Sequence, residues 1–341
     1  MELGWYALLG LFFAAYLVLG GYDYGVGVLL SGLRSDGARR AALTAVGPFF
    51  LGNEVWLVAA LGILFGAFPR LEGELLSGLY PAVVLALTGV IHVTVAVQLR
   101  SRPARPAARM TWDRVVVAGS ALAALGWGAV LGGLLQGVPL RADGHVDGIR
   151  HLATPFVAAC ALTFLALIAI HGATFLSLRM PTERQSPQRS AVIDGGSRRW
   201  SGLARRLVPG ALGLVAVTVV LRLISGGATR AVAVVPLLLL VGALFAVRAL
   251  AQRRPGWAFV ASSVTLVSPL LVVGAGLYPD MLVSTVDPAA TLTVAESAAG
   301  PSTLRLLSWL TLPLLPVLIG FQAMCWWVFR GRIDGKAPVY W

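Results

Sequence analysis

Apolar residues run almost unbroken for roughly 20 positions at a time, separated by short stretches rich in Gly, Pro, Ser and Arg. Within the runs, apolar and polar positions do not alternate, as they would in the strands of a membrane barrel. In hydrocarbon every backbone amide must find its partner inside the protein, so only helices and closed barrels span a bilayer. Unbroken runs of this length therefore predict helices. Nine are expected, at about 5–30, 46–68, 78–98, 115–137, 156–177, 208–225, 231–250, 257–277 and 306–329. The predicted loops 31–45, 99–114, 178–207, 251–256 and the tail from Arg330 alternate with loops of opposite character. Loop 178–207 is rich in Arg, Ser and Gly, while 138–155 and 278–304 carry Pro, Asp, Thr and Gly without helical periodicity. The first 30 residues lack a basic leader and a cleavage site, so they read as a retained first span.

Composition supports the same class. Charged residues make up 12% of the chain and apolar ones 57%, and the mean hydropathy is +0.81. A soluble domain carries about twice that share of charge. The net charge of +12 does not indicate nucleic acid, because the basic residues sit in short clusters between apolar runs. Twenty-one of the 27 Lys and Arg fall on one set of loops, from Arg34, Arg39 and Arg40 to Arg330, Arg332 and Lys336. By the positive-inside rule this places the N-terminus outside and the C-terminus in the cytoplasm of a cell membrane. Opposite ends require an odd number of spans, and nine satisfies this. Cys160 and Cys325 lie in separate apolar runs with no His or Cys at metal-binding spacing, so both read as packing residues.

Ionisable groups inside spans are costly, and each is a candidate functional residue. There are five: Asp23, Glu54, His92, His171 and Arg222. Asp23 stands among glycines that permit close helix approach, either as a tie between helices or as a proton-path carboxyl. Glu54 follows Gly47, Pro48 and Gly52, which weaken a helix. It reads equally as a partner, with Asn53, for freed carbonyls and as an acid that exchanges protons. His92 and His171 read as hydrogen-bonding residues between helices before they read as ligands. Arg222 is placed to reach headgroups. Trp5, Tyr80, Trp257, Tyr278, Trp326 and Trp327 read as interfacial anchors.

The motifs are more specific than the composition. Gly21-Tyr22-Asp23-Tyr24-Gly25-Val26-Gly27, then Gly47-Pro48 and Gly52-Asn53-Glu54-Val55-Trp56, resemble the first two helices of subunit II of cytochrome bd quinol oxidase. Ala67-Phe68-Pro69, Ser77-Gly78-Leu79-Tyr80 and Leu134-Leu135-Gln136-Gly137-Val138-Pro139 extend the resemblance. So do Gly172-Ala173-Thr174-Phe175-Leu176, Trp257-Ala258-Phe259, Tyr278-Pro279, Ala290-Thr291-Leu292-Thr293 and the stretch from Trp326 to Gly331-Arg332-Ile333.

The resemblance implies two four-helix bundles (5–137 and 156–277), a peripheral ninth helix (306–329) and a cytoplasmic tail (330–341). It also implies a partner, subunit I, that carries b-type and d-type haems and the quinol loop. Subunit II, by this likeness, binds no haem itself, stabilises the assembly, lines proton or oxygen paths and allows for a structural quinone. Asp23 and Trp56 match family positions near those paths. Two positions depart from the pattern. Phe50-Leu51 replaces a Trp-Asp pair whose Asp is the family's proton-path acid at the subunit interface, and His92-Val93-Thr94 stands where the family has an Arg. Asp23, Glu54 and His92 are therefore the proton-path or helix-packing candidates, and Trp56 the oxygen-path or interface candidate. A membrane protein that keeps this fold for transport or assembly is the alternative reading.

Overall fold

A computed structural model describes residues 1–341 except 104, 147, 183–195, 226–229 and 334–341, and omits the side chains of 230–237. Arg184, Arg189 and most of the tail, with Lys336, lie outside the described residues.

The long helices are α1 (Glu2–Leu29), α3 (Phe50–Ala67), α5 (Tyr80–Leu99), α6 (Pro106–Gln136), α7 (Pro155–Arg179), α8 (Gly196–Ile224), α9 (Arg230–Ala251), α10 (Pro255–Leu277) and α12 (Pro301–Val328). Eight of them are long and apolar enough to cross a membrane over their described residues. The other is α9, whose apolar part Leu238–Ala251 follows the undescribed side chains. Among the described residues these long helices follow the predicted spans in order, eight of them long and apolar enough to cross a membrane.

Among the described residues three shorter helices lie between them: α2 (Asp36–Val46), α4 (Pro69–Gly78) and α11 (Val294–Ser297). The prediction missed all three, because an apolar run shorter than a bilayer leaves no signal of the kind used to find spans. α6 and α8 also begin about ten residues earlier than predicted. Both continue as helix through arginine-rich sequence, where Arg is a good helix former outside the membrane.

Helix starts follow local chemistry. Proline occupies the first turn of α4, α5, α6, α7, α10 and α12, where its missing N–H costs nothing. The Ser35 hydroxyl accepts from Ala38 N at 3.1 Å and caps α2, and Thr154 caps α7 through Val157 N at 3.3 Å. Pro48 does not sit inside a weakened helix. It lies in the turn between α2 and α3, so no carbonyls of a broken helix await Asn53 or Glu54 there.

α1 is the central helix. Gly20 to Gly27 are all buried, as expected for a segment enclosed on every side. It packs on α3 and α6 in one direction and on α7 and α10 in the other. The crossing with α7 is the closest: a Cβ on Gly172 would lie 2.3 Å from Gly25 C, and one on Gly25 2.2 Å from Ile168 O. The glycine motifs of the first and fifth spans are thus two halves of one backbone contact. α5 packs tightly along α6, while α3 and α5 approach each other only loosely. α7, α8, α9 and α10 form a closed ring, each packed on the next. α12 leans mainly on α3.

On one side of the molecule the loops after α6 and α10 are knitted together. β1 (Asp280–Leu282) pairs antiparallel with β2 (Leu292–Thr293), and Val138 exchanges backbone hydrogen bonds of 2.9 Å with Val283 and Thr285. These loops, read from sequence as irregular, contain that pairing and a Thr293–Glu296 capping box.

Candidate functional site

Asp23 is buried in α1 and Asn53 faces it from α3. The Asn53 amide nitrogen lies 2.9 Å from Asp23 Oδ2, 2.7 Å from the Tyr22 hydroxyl and 3.1 Å from Leu19 O. Among the described residues Asp23 Oδ1 has no hydrogen-bond partner. On its other side Asn53 Oδ1 accepts from Gln322 Nε2 at 3.3 Å, and Gln322 Oε1 accepts from Trp56 Nε1 at 3.3 Å. One line of polar side chains thus runs from α1 through α3 to α12. Gln322 and Leu304 are the buried residues of α12. Trp56 is itself buried and stacks obliquely on Phe12, with ring centroids 5.3 Å apart. Sequence reasoning missed Gln322; its only signal was a lone amide inside an apolar run.

Glu54 is half-buried, one position along α3 from Asn53, and turns to α5. There the Thr94 hydroxyl contacts Glu54 Oε1 and also lies 2.9 Å from Val90 O. This pair bridges the loose seam between α3 and α5. Leu51, Val55 and Val58 on α3, with Ile91 and Val95 on α5, are exposed on the outer face of the seam. His92 is exposed as well, and its Nδ1 bonds only one turn back, to Thr88 O at 2.7 Å. Thr94, not His92, is the residue the fold brings to an acid.

His171 is fully buried. Its Nε2 lies 3.0 Å from Val18 O and its Nδ1 2.8 Å from Ser262 Oγ, so α7 is tied to α1 and α10 through one imidazole. A carbonyl can only accept, so Nε2 carries the proton and Nδ1 accepts from the serine. Around it Tyr22 stacks on Phe175 at 4.1 Å, and Trp326 stacks on Phe49 at 5.0 Å. Trp326 therefore packs into an aromatic cluster and Trp5 is buried, whereas Tyr80, Trp257, Tyr278 and Trp327 are exposed. Arg222 is half-buried and faces α7. Its guanidinium stands 5.4 Å over the Phe156 ring, at the rim of an apolar cavity between α6, α7, α8 and α10 lined by Leu131, Phe156, Cys160 and Val215.

A second polar centre lies where α5 and α6 meet α2. Arg100, fully buried, bonds Asp113 through Nε and lies 2.8 Å from Asp36 Oδ1, while Arg39 Nε lies 3.0 Å from Asp113 Oδ2. Burial disfavours the Arg100 charge, but Asp113 and Asp36 more than offset this and raise its pKa above the usual Arg range. Read from sequence, Arg100 and Arg39 were loop charges. The structure places both in an ion-pair network.

The profile of the family described as cytochrome bd terminal oxidase subunit II matches residues 1–329. Cytochrome bd-I ubiquinol oxidase subunit 2 of Escherichia coli K12 is 28% identical, over 96% of this chain and 94% of its own. Cytochrome bd ubiquinol oxidase subunit 2 of Bacillus subtilis 168 is 28% identical, over 98% of this chain and 97% of its own. A chain of the bd oxidase structure from Geobacillus thermodenitrificans superposes with a TM-score of 0.67 at 16% identity, covering 96% of this chain and 98% of that one, and so shares its fold.

Proposed function

The chain belongs to the cytochrome bd terminal oxidase subunit II family, and on that premise we propose that it delivers protons to, and braces, a haem-bearing subunit I in a quinol:oxygen oxidoreductase. The orientation that follows from the basic loops is N-terminus outside and C-terminus in the cytoplasm. Residues 5–137 and 156–277 act as two four-helix units joined through α1, with α12 peripheral; the ring α7–α8–α9–α10 and the contacts of α1 support this division.

The haems are assigned to the partner. In support, both nitrogens of the buried His171 are engaged in helix–helix bonds, and His92 bonds its own turn on an exposed face. We assign the structural quinone that the family resemblance allows to the apolar cavity beside Arg222, whose guanidinium would donate to a quinone oxygen.

The observation that carries the proton-delivery role is the position of Glu54. It is a half-buried carboxyl on the seam between α3 and α5, beside an apolar face open to a partner subunit. A carboxyl at membrane depth is too costly to leave against lipid, so this face is the one we dock on subunit I. Asp23, deeper on α1 and tied to Asn53, serves first as a helix tie. The test is quinol-driven oxygen consumption of the purified complex carrying Glu54→Gln, normalised to haem across neutral pH. A fall in turnover with haem retained is expected. Unchanged rate and pH profile would leave Glu54 a structural residue.

A further inference from the structure

Thr94 Oγ1 is in contact with two oxygens, Glu54 Oε1 on the neighbouring helix and Val90 O one turn back on its own. A hydroxyl has one hydrogen and two lone pairs, so it cannot donate to both oxygens at once. When Glu54 is a carboxylate, the Thr94 hydrogen points to it, and the Val90 carbonyl keeps only its helical backbone partner. When Glu54 is a carboxylic acid, the acid proton points to Thr94 Oγ1, and the threonine hydrogen turns to Val90 O. Each state leaves every polar atom of the trio paired. Thr94 keeps its own proton throughout; only the direction of its O–H changes.

We propose that Thr94 is a positioning residue that lets Glu54 take up and release a proton at the α3–α5 seam with a hydrogen-bond partner in both states. The proposal rests on the proton-delivery reading of Glu54. Among the described residues no other side chain is bonded to the Glu54 carboxyl. His92, the nearest base along α5, is turned to Thr88 O. Serine keeps the rotating hydroxyl, whereas valine keeps the branched shape and removes the hydroxyl, so the two substitutions separate hydrogen bonding from packing.

The experiment uses the intact complex. Thr94→Val, Thr94→Ser and Glu54→Gln are compared by oxygen consumption per haem and by redox-induced infrared difference spectra in the carboxyl C=O region. The Glu54 band is identified by its loss in Glu54→Gln. We expect Thr94→Val to slow turnover about tenfold, the scale of one hydrogen bond to a charged group, and to shift the Glu54 band. Thr94→Ser should restore both. A Thr94→Val complex whose Glu54 band is unmoved overturns the proposal even if it turns over slowly, because the loss is then one of packing. If Glu54→Gln is slow while Thr94→Val matches wild type, the Thr94 role fails and the Glu54 reading stands. If Glu54→Gln itself runs at the wild-type rate, both fail.

Discussion

Asp113 accepts from Arg100, forms an ion pair with Arg39 at 3.0 Å, and is almost fully buried beside Arg100, which is fully buried. Substituting Asp113 by Leu removes the only carboxylate that Arg39 pairs with among the described residues, and half of the pairing of Arg100. Breaking one partner of a buried ion pair costs about 3–5 kcal/mol, because the remaining charge stays desolvated. Here Asp36 still faces Arg100 at 2.8 Å. Its side chain is 39% exposed, so it compensates only in part. The expected cost therefore lies at the low end, about 3 kcal/mol. Replacing Arg100 by Met in the same chain should recover most of it, since an apolar pair of similar volume carries no desolvation penalty. The assay is unfolding of the purified protein in mixed micelles at low and high salt, with the two single variants and the double variant forming one thermodynamic cycle. A buried network should be nearly insensitive to salt, unlike a surface one. A cost for Asp113→Leu below about 0.5 kcal/mol, the range of ordinary surface changes, would refute the reasoning. So would a loss that salt abolishes.

Other expectations follow from single contacts. Gly172→Ala places a methyl 2.3 Å from Gly25 C; α1 and α7 must separate, at a cost of about 1–3 kcal/mol, read as a lower thermal midpoint with reduced recovery of assembled complex. Gln322→Leu leaves Trp56 Nε1 and Asn53 Oδ1 without partners, about 1–3 kcal/mol for a buried polar group, and should raise hydrogen exchange along α12 while α7 stays protected. Equal exchange in wild type and variant would show that α12 is held by its apolar contacts alone. For orientation, single cysteines at Asp143 and Arg102, both exposed, should be labelled in intact cells only at position 143. The opposite pattern would invert the topology.

The number and order of the spans are legible in the sequence because lipid admits a single kind of element at that length, so each apolar run has one outcome. The glycines of the first span and Gly172 are legible as small residues, but their pairing is not, since it depends on which two helices cross. Asp23 and Glu54 stand out for the same reason that makes them costly, a charge-bearing group in an apolar run. Their partners do not. Asn53, Thr94 and Gln322 are neutral, and a hydroxyl or amide in a span has too small an effect on hydropathy to mark it. The Arg100–Asp113 pair was hidden differently: one arginine-rich loop looks like another until α2 folds back over it. Arg222 adds a contact that the sequence did not show. A lone arginine near a span end usually reaches outward, and here the Phe156 ring gives it a cation–π partner.

The ion pairs and the interior ties of this molecule lie in different places, and this bears on the departure that the resemblance implies at position 51. Charges that pair with charges, Arg39, Asp36, Arg100 and Asp113, stand beyond the ends of the spans. Inside, most ties between helices join neutral groups, Asn53 to Gln322, Gln322 to Trp56 and His171 to Ser262, and the two acids there, Asp23 and Glu54, bond to the neutral Asn53 and Thr94. Bonds of this kind need little compensation in lipid, and each is worth on the order of 1 kcal/mol. Position 51 belongs to neither group, because Leu51 is 57% exposed on the outer face of α3. An acid at that position would have needed cover from a partner, whereas leucine needs none. Glu54 lies three residues further along the same helix and already has Thr94 for a partner. If the resemblance holds at position 51, leucine in place of the family's acid removes a charge from the surface of the seam and leaves one carboxyl within it, so the proton traffic proposed above converges on Glu54.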